Sequence, residues 1–461
     1  MIKIFFKTYG CQANVADSNG FQTYLVDLGC KVVDSESEAD LIIVNSCAIR
    51  ERAELKLFSY VGSLNHYKKE KAYIRIGVIG CVASYRKQEI YERFDHVNFV
   101  FGARDNIETF KAYLADIVVS LESTKRLYLD TSRSIRPGQD RDIQGIVEKK
   151  HLKIRQKEEH KVEKNDNLEE VRRAFVNIVT GCNNYCSYCI VPFTRGRETS
   201  YSIDSIVRRI EREIQLGAKE INLVGQNVNS YIDPNTGASF ADLLKVVARL
   251  EGDFWVRYIS PHPKDMTRDV LEVMAEHKDK LCNYVHMPLQ AGSDKILKAM
   301  NRIYTVDRYM EIIGWIKEFL PEATITTDII VGFPGESEED YLGTMNVVEK
   351  VKYDLVYSFI YSRRKYTKAF NMPDDTTIEV KQERLDGLQK RAKELSFERN
   401  YRFLGKVVRS LVEKRLPSGK LLARTAGNQR VIFDEKDQNI GKFVNLKIDK
   451  IGLVNLDGSL K

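Results

Sequence analysis

The sequence predicts an α/β protein with an N-terminal doubly wound parallel α/β domain, a central (β/α)6 partial TIM-type barrel and a small C-terminal antiparallel β-barrel. Short apolar runs alternate with amphipathic segments at the start of the chain, which is typical of a parallel sheet with helices on both faces. The alternation stops and then resumes as six units of about 30–35 residues each. The end of the chain holds only short strand-like runs separated by glycines. We place the domains at residues 1–120, 171–400 and 401–461, with a linker at 121–170.

In the first domain four apolar runs have the length and composition of strands. They read IKIFFKTYG, DLIIVNS, YIRIGVIG and HVNFVFG. Helical patterns lie between them, for example from Glu51 to Lys69 and from Ser84 to Phe94. The stretch that follows, 121–170, is dominated by charges and has too few apolar residues for a core, so we expect a mobile linker or a surface wrap.

The central domain contains six strand candidates separated by helical segments such as Ile203 to Leu216 and Val306 to Leu320. They are AFVNIVT, EINLVGQ, FWVRYIS, NYVHMPLQ, TITTDIIVG and LVYSFIYS. In a barrel of this type the functional site lies at the carboxyl ends of the strands. A long helix from about Ile378 to Leu404 leads to four short strands, GKVVRSLVEKRL, GKLLARTAG, QRVIFDE and GKFVNLKIDKIG.

Composition narrows the class of protein. The chain has 461 residues, 43% of them hydrophobic, and no apolar run long enough to span a bilayer, so we expect no membrane association. The N-terminus lacks the features of a signal peptide, and eight cysteines are too few for a disulfide scaffold, which favours a cytoplasmic protein.

From Arg402 to Lys461 there are 13 Lys and Arg against 6 Asp and Glu, an excess equal to the net charge of +7. This basic end indicates a polyanionic partner, with an ordinary solvated surface as the alternative.

Three cysteines, Cys182, Cys186 and Cys189, lie within eight residues directly after the first strand of the central series. A structural zinc site needs four ligands, but the next cysteine is Cys282 and no histidine is near. Three thiolates on one loop suit three irons of a 4Fe–4S cluster and leave the fourth iron open for chemistry. Zinc binding and unligated core cysteines are the alternatives.

A second set of cysteines is dispersed along the first domain. Cys11, Cys47 and Cys81 each follow a predicted strand, at intervals of 36 and 34 residues. Since parallel strands end at one edge of the sheet, the three thiols should converge where doubly wound sheets bind ligands. We therefore expect a second 4Fe–4S cluster with an open iron, with buried structural thiols as the alternative. Cys30 and Cys282 do not share this placement and are interpreted as small apolar residues.

The loop of Cys182, Cys186 and Cys189, with Tyr188 before its last cysteine, resembles the radical S-adenosylmethionine superfamily. Along nearly its whole length the chain resembles the methylthiotransferases of that superfamily, which end in a TRAM domain. The stretches that carry the resemblance are TYGCQANVADS, LIIVNSCAIRERAE, GVIGCVA, GCNNYCSYCIVPFTRGRE, LVGQNVNSY, SPHP, HMPLQAGSDKILKAMNRIY and TDIIVGFPGESEED. Within the family, YGCQ and IVPFTRGRE are most similar to the branch that modifies N(6)-dimethylallyladenosine in tRNA.

Some positions depart from the family pattern. Ala13 stands where Met is common, Asn19 where Glu is common, and NSCAIR replaces the usual Asn-Thr-Cys-Ser-Val/Ile-Arg. In the segment YSRRKYTKAF, Lys365 and Tyr366 stand where the family has Pro and Gly. Because Pro and Gly permit different backbone angles from Lys and Tyr, the resemblance leaves the geometry of this loop open.

The resemblance implies that a methylthio group is added to carbon 2 of the adenine next to the anticodon. It implies two 4Fe–4S clusters, two molecules of S-adenosylmethionine, a radical that removes the hydrogen, and extrusion of the target base from the anticodon loop. The implied partners are tRNA and a reduced flavodoxin or ferredoxin-type electron donor, and we expect a monomer. The alternatives are threonylcarbamoyladenosine in tRNA or a ribosomal-protein aspartate as substrate, a two-cluster electron-transfer protein, and a non-catalytic RNA-binding protein with zinc.

Tyr188 and several polar side chains near the strand ends are the candidates for binding S-adenosylmethionine. The polar side chains are Gln226, Asn227, Ser260, His286, Gln290, Ser293 and Asp328. Each could instead be a satisfied interior polar group, and Ser293 could be a helix N-cap. The candidates for contact with substrate are Arg195, Arg197, Arg364, Lys406, Arg409, Arg424 and Arg430. Arg195 and Arg197 could instead pair with Glu198, and no catalytic side chain is assigned.

Overall fold

The structure, a computed structural model, describes residues 1–49, 51–130, 170–434 and 439–461. Most of the predicted linker, residues 131–169, lies outside the described residues. The chain divides into two compact units. The first holds the described residues up to 130 together with Phe193–Arg195, and the second holds the described residues from 170 onward apart from that segment.

The first unit is a five-stranded parallel sheet in the order β2-β1-β3-β4-β5 with helices between the strands. The strands are β1 Lys3–Tyr9, β2 Lys31–Val32, β3 Leu41–Ser46, β4 Arg75–Gly80 and β5 Phe99–Gly102. The helices are α1 Gln12–Asp27, α2 Glu51–Ser63, α3 Asn65–Glu70, α4 Cys81–Arg93 and α5 Ile107–Asp130. The strand order reverses between β1 and β3, and ligands of doubly wound sheets bind at such a point.

Helix α5 extends ten residues beyond the predicted domain end at 120. Leu121 is fully buried and packs with Phe110, Leu114 and Ile117 in the core of the first unit. The sequence prediction stopped at 120 because charged residues become frequent there. The apolar stripe of α5 nevertheless continues for another turn, and Lys125 forms an ion pair with the buried Asp40.

The central part of the second unit contains two three-stranded parallel sheets, β6-β9-β10 and β11-β12-β13, joined by a parallel bridge from Val256 to Leu281. Its strands are β6 Arg173–Asn177, β7 Val179–Thr180, β8 Thr199–Ser200, β9 Glu220–Val224, β10 Trp255–Tyr258, β11 Tyr284–His286, β12 Thr324–Val331 and β13 Leu355–Ile360. Its helices are α6 Val191–Arg195, α7 Ile203–Gln215, α8 Phe240–Ala248, α9 Arg268–Glu276, α10 Asp294–Ala299, α11 Val306–Phe319, α12 Glu338–Val351 and α13 Ile378–Asn400. This is the predicted six-strand partial barrel.

Strand β9 of the partial barrel has an apolar outer face and a polar inner face. On β9, Ile221 and Leu223 pack in the large apolar cluster with the helices, while Glu220 and Asn222 point to the opposite side. The register of β12 with its neighbours places Asp328 on the same face as His286 and Tyr357. The polar side chains of β9, β11 and β12 are therefore directed into the barrel, whereas β13 contributes Leu355, Tyr357 and Phe359 to the same side.

The C-terminal part is a closed five-stranded barrel in the order β14-β15-β16-β18-β17. Its strands are β14 Val407–Arg415, β15 Leu421–Thr425, β16 Arg430–Phe433, β17 Phe443–Ile451 and β18 Asn455–Leu460. Four of the predicted strands are present, but the sequence analysis missed β18, whose sequence NLDGSL has only two apolar residues. Strand β18 closes the barrel by pairing parallel to β16, which is the one departure from the predicted antiparallel pattern in the described residues.

Among the residues that the structure describes, none of the helices is both long and apolar enough to cross a membrane.

Candidate functional site

The three dispersed cysteines of the first unit converge at the carboxyl edge of its sheet. Cys11 is the N-cap of α1, Cys47 directly follows β3, and Cys81 is the first residue of α4. The thiols of Cys11 and Cys47 are in hydrogen-bonding contact. This contact lowers the pKa of Cys11 and, together with burial and the nearby Cys81, raises the pKa of Cys47. Because β1 and β3 flank the reversal of strand order, the thiols lie where this fold binds ligands.

A buried amide network supports these cysteines. Asn14 donates from Nδ2 to Asn45 Oδ1 at 2.9 Å, and its Oδ1 lies 3.4 Å from Cys11 Sγ. Asn45 Nδ2 donates to the Asn14 carbonyl oxygen and to Ser18 Oγ. Both asparagines are fully buried, and neither was predicted from the sequence. The available signal was their position within three residues of Cys11 and Cys47 along the chain.

Gly80, which precedes Cys81, is required by the same network. Its φ is +95°, and a Cβ atom at this position would lie 2.2 Å from Asn45 Oδ1. A side chain here would therefore be strained and would displace Asn45.

Arg195 belongs to the first unit, with which the segment Phe193–Arg195 packs. It is buried, and its Nη2 donates to Asp17 Oδ2 at 2.7 Å. Its positive charge contributes to the lowered pKa of Cys11. The structure thus pairs Arg195 with Asp17 and not with Glu198, the pairing that the sequence analysis gave as the alternative to substrate contact. Glu198 Oε1 instead accepts a hydrogen bond from Ser230.

The clustered cysteines of the second unit lie on the loop between β7 and α6. Cys182 donates its backbone N–H to the Gly196 carbonyl, and Cys189 donates to the Cys186 carbonyl at 2.9 Å. Burial raises the pKa of Cys182 to about 11 and that of Cys189 to about 12. The loop begins at Gly181, whose φ is +77° and whose N–H donates to Gln226 Oε1 at 2.6 Å.

Arg302 is a buried cation beside this loop that the sequence analysis did not identify. Its Nη1 donates to Cys186 Sγ at 3.4 Å, and its Nη2 donates to the Pro288 carbonyl at 3.2 Å. Its Nε donates to the hydroxyl of Tyr304. This guanidinium, which lies within the NRIY stretch, can stabilise negative charge on the thiolates. Tyr188 is buried among the same groups, and this burial raises the pKa of Tyr188.

Both cysteine triads have the donor chemistry of a 4Fe–4S cluster. In each of them three cysteines meet, and thiolates are the ligands that such clusters take. No three His, Cys, Asp or Glu side chains in the described ranges are arranged to hold a single metal ion.

The candidate groups after β9 form a polar cluster at its carboxyl end. Asn227 is 1% exposed and donates from Nδ2 to Asp265 Oδ2, while its Oδ1 has no hydrogen-bond partner in the described residues. His262, in the SPHP stretch, is also buried, and its Nε2 has no partner there either. Burial lowers the pKa of His262 to about 2, so the ring is neutral. Two buried polar atoms without partners fit a site that a polar cofactor completes.

His286 and Asp328 lie together inside the barrel. His286 Nδ1 is 2.9 Å from Thr326 Oγ1, and its Nε2 is 3.3 Å from Asp328 Oδ2. Ser260 and Gln290 follow β10 and β11 with φ of +67° and +70°, which is uncommon for residues other than glycine. Such backbone angles are found often at functional sites.

Ser293 makes contacts that suit a structural role. It is the N-cap of α10, and its hydroxyl donates to Asp340 Oδ1 at 2.6 Å. Asp340 also accepts from Lys295 and completes the capping box of α12 with Ser337. The helix-cap alternative therefore has direct geometric support.

The segment that departs from the family pattern keeps a glycine-like conformation. Tyr366, which stands where the family has Gly, has a φ of +72°. The Arg364 carbonyl accepts hydrogen bonds from the N–H and the hydroxyl of Thr367. Ala369 N–H donates to the Ser187 carbonyl of the cysteine loop at 2.8 Å. The segment is thus connected to the cysteine loop despite the two substitutions.

The basic candidates of the C-terminal barrel are engaged with other groups. Lys406 Nζ lies 3.3 Å from Glu322, Arg409 Nη2 lies 2.5 Å from Asp253, and Arg424 Nε lies 2.5 Å from Glu413. Arg430 has a buried Nε without a hydrogen-bond partner in the described part of the chain. Among the described residues, Arg197 makes no side-chain contact that would test its predicted role in binding substrate.

Three family models match the chain. They are described as the radical SAM superfamily over residues 176–348, the uncharacterized protein family UPF0004 over residues 3–102, and the TRAM domain over residues 402–461. The chain is 39% identical to the tRNA-2-methylthio-N(6)-dimethylallyladenosine synthase of Thermoanaerobacter sp. (strain X514), covering 98% of this chain and 92% of the relative. It is 38% identical to the synthase of the same name from Fusobacterium nucleatum subsp. nucleatum, with 100% of both chains covered.

The chain belongs to the tRNA-2-methylthio-N(6)-dimethylallyladenosine synthase family. It is therefore an enzyme of the radical S-adenosylmethionine methylthiotransferase type, as the resemblance predicted.

Among solved structures, the radical S-adenosylmethionine methyltransferase TsrM from Kitasatospora setae matches with a TM-score of 0.54 at 11% identity, covering 80% of this chain and 75% of TsrM. The cobalamin-dependent radical enzyme OxsB matches with a TM-score of 0.51 at 11% identity, covering 84% of this chain and 56% of OxsB. Both confirm the predicted α/β fold class.

Proposed function

We propose that this enzyme adds a methylthio group to carbon 2 of N(6)-dimethylallyladenosine next to the anticodon of tRNA. The observation that carries the proposal is the presence of two cysteine triads, each at the carboxyl edge of a parallel sheet, in a chain that aligns from end to end with synthases of that name. One triad suits the cleavage of S-adenosylmethionine, and the other suits the group that supplies sulfur.

In this proposal Cys182, Cys186 and Cys189 hold the cluster that S-adenosylmethionine meets, and Cys11, Cys47 and Cys81 hold a second cluster. When bound, the first cluster supplies the electron that cleaves S-adenosylmethionine to a radical able to break an unactivated C–H bond. Arg302 stabilises the thiolate of Cys186, and Arg195 stabilises that of Cys11, since each guanidinium places positive charge beside sulfur. The described residues would supply three cysteine ligands to each cluster, which would leave one iron free.

The polar cluster after β9 and β10 would bind S-adenosylmethionine. Asn227 Oδ1 can accept a hydrogen bond, and neutral His262, whose Nδ1 accepts from the Lys264 N–H, can donate one from Nε2. Both atoms are buried without partners in the described residues. Tyr188, Gln226, Ser260, His286, Gln290 and Asp328 remain candidates for the same role, whereas the contacts of Ser293 favour a helix cap.

The C-terminal barrel would contact the phosphate backbone of tRNA. The enzyme would act as a monomer in the cytoplasm, and a reduced flavodoxin or ferredoxin-type protein would donate the electron. Arg197, Arg364, Lys406, Arg409, Arg424 and Arg430 stay candidates for contact with RNA, whereas the predicted candidate Arg195 is buried and paired with Asp17. Exposed Lys406 and Arg409 suit this role better than Arg424, because Arg424 is committed to the buried carboxylate of Glu413.

The deciding experiment is mass spectrometry of tRNA nucleosides from a bacterial strain that lacks its own methylthiotransferase and expresses this chain. We expect 2-methylthio-N(6)-dimethylallyladenosine to appear, and to be absent when Cys182 is changed to Ala. Accumulation of a methylthiolated threonylcarbamoyladenosine, or of a modified ribosomal protein without any modified tRNA, would contradict the proposed substrate.

A further inference from the structure

The C-terminal barrel packs on the radical barrel at the end opposite to the cysteine loop. Trp255, the first residue of β10, lies edge to face with Phe443 of β17 at a centroid distance of 4.8 Å. Thr324, the first residue of β12, accepts a hydrogen bond from Gln429 Nε2 at 2.6 Å. The contact therefore involves the amino-terminal strand ends, where this class of barrel does not carry its chemistry.

A buried carboxylate lies at the centre of this contact. Glu413 of β14 is 1% exposed and accepts from Arg173 Nη2 of the radical barrel at 2.6 Å. It also accepts from Arg424 Nε of its own barrel at 2.5 Å. Its carbonyl oxygen accepts from the Val171 N–H at 2.7 Å. One residue thus joins the two barrels through both its side chain and its backbone.

A second buried charge holds the β15–β16 hairpin at the floor of the radical barrel. Arg257 of β10 donates from Nε to Glu220 at 2.8 Å. Its two terminal nitrogens donate to the carbonyls of Ala426 and Thr425 at 2.6 Å and 2.8 Å. The guanidinium is therefore shared between the strands of one barrel and the hairpin of the other.

The hairpin itself is held in one conformation. Thr425 N–H donates to the Gln429 carbonyl, and the hydroxyl of Thr425 donates to Gln429 Oε1. Arg424 Nη1 donates to Asn428 Oδ1 at 2.8 Å. A Cβ atom at Gly427 would lie 2.5 Å from both Thr324 Oγ1 and Gln429 Oε1, and Gly427 does not have a positive φ. Gly427 is needed for close approach to the radical barrel rather than for the turn.

Buried ion pairs contribute little net stability compared with apolar packing, but removing one partner is strongly unfavourable, and such pairs can select one arrangement. Here they surround a small apolar cluster of Val171, Trp255, Cys282 and Leu411. A contact of this composition is suited to fixing the relative position of two domains. It is poorly suited to a loosely tethered RNA-binding module, which would gain nothing from a shared buried carboxylate.

We propose that Glu413 and Arg257 are positioning residues that hold the C-terminal barrel at one fixed place on the radical barrel. A tRNA bound by the C-terminal barrel then presents its target nucleoside at the position where the radical reacts. This inference rests on the proposed function for its last step. A displacement of about 1 Å between reacting groups can slow a reaction about a hundredfold, so fixed placement is as important as RNA affinity.

The docking is tested first without tRNA, by hydrogen exchange of the intact holoenzyme. Glu413→Gln removes the shared charge, and Gly427→Ala adds one methyl group at a position where a Cβ atom would lie 2.5 Å from Thr324 Oγ1 of the radical barrel. The matched control is Lys420→Gln, which removes one exposed ion pair with Asp434 in the same barrel. We expect amide exchange at the starts of β10 and β12 to accelerate about tenfold or more in the first two variants and to stay unchanged in the control.

The positioning step is tested by the ratio of 5′-deoxyadenosine to methylthiolated nucleoside at saturating tRNA. We expect Glu413→Gln and Gly427→Ala to raise this ratio about tenfold while the Kd for tRNA changes less than about twofold, and Glu413→Asp to restore part of the coupling. If Glu413→Gln does not fold, Gly427→Ala carries both measurements.

Unchanged exchange and coupling in folded Gly427→Ala protein would overturn the inference, and so would a loss that resides entirely in the Kd for tRNA. A wild-type enzyme that modifies no tRNA would reject the proposed function, whereas the exchange experiment would still decide whether the two barrels are docked as described.

Discussion

At the scale of single residues, the cysteines of the first unit depend on neighbours that bind no iron. Asn14 is fully buried and connects Cys11 with Asn45, which in turn holds the backbone of α1. A buried amide that loses its partner is unfavourable by about 1–3 kcal/mol. The convergence of three thiols from three distant positions is therefore stabilised by an amide pair within the same sheet edge.

We expect Asn14→Ala to lower the free energy of unfolding by about 1–3 kcal/mol and to reduce the iron bound by the first unit, because Asn45 loses a hydrogen-bond partner. Urea denaturation and iron analysis measure both effects. Asn65→Ala, in the short helix α3, is the control and should change neither. Full iron content in Asn14→Ala would show that the amide network does not support the triad.

At the scale of elements, the loop of Cys182, Cys186 and Cys189 is fixed at its entrance by Gly181. A Cβ atom there would lie 2.1 Å from the Arg197 carbonyl oxygen, and the φ of +77° disfavours any other residue. The loop therefore closes tightly on the segment that returns from α6.

Gly181→Ala should lower the free energy of unfolding by more than about 1 kcal/mol and abolish the cluster of the second unit. Gly314→Ala is the matched control, because Gly314 lies inside α11 with open space around it, and alanine should stabilise that helix by about 0.5–1 kcal/mol. Thermal unfolding and iron content separate the two variants. Equal behaviour of the two alanines would contradict the account of this loop.

Asp340 couples two helix starts, since it accepts from the caps of both α10 and α12. Burial alone would raise its pKa, but hydrogen bonds from Lys295, Ser293 and Ser337 outweigh this and lower the pKa to about 2. A carboxyl group with a lowered pKa stabilises the fold above its ordinary pKa of about 4, and this contribution is lost as the pH falls towards 2.

Asp340→Asn should therefore be less stable than the wild type at pH 5, and the difference should shrink as the pH falls from about 4 to 2. Urea midpoints of both proteins at pH 5, 4 and 3 test this. A difference that stays constant across that range would mean that the charge of Asp340 does not contribute.

The elements show why the sequence predicted the fold well and the site only in part. Strands β1, β3 and β4 are mostly apolar runs with clear ends, so the parallel sheet and the edge that carries Cys11, Cys47 and Cys81 follow from the sequence. Strand β18 was missed because its pairing with β16 is set by barrel closure and not by its own composition. Arg302 and Asn14 were missed because their partners are distant in sequence, and periodicity does not reveal hydrogen bonds across the fold.

At the scale of the whole molecule, the chain carries two separate sets of three cysteines, one in each unit. Full-length relatives and the three matched domains define its family. We propose one cluster for each triad, and we therefore expect the loss of one cluster to leave the other intact.

The most direct test is anaerobic iron and sulfide analysis of the reconstituted wild type, of the triple variant Cys11→Ala, Cys47→Ala, Cys81→Ala, and of the triple variant Cys182→Ala, Cys186→Ala, Cys189→Ala. The account predicts about eight irons per wild-type chain and about four in each triple variant. A wild type with about four irons, or a first triple variant that keeps the wild-type content, would contradict the two-cluster proposal.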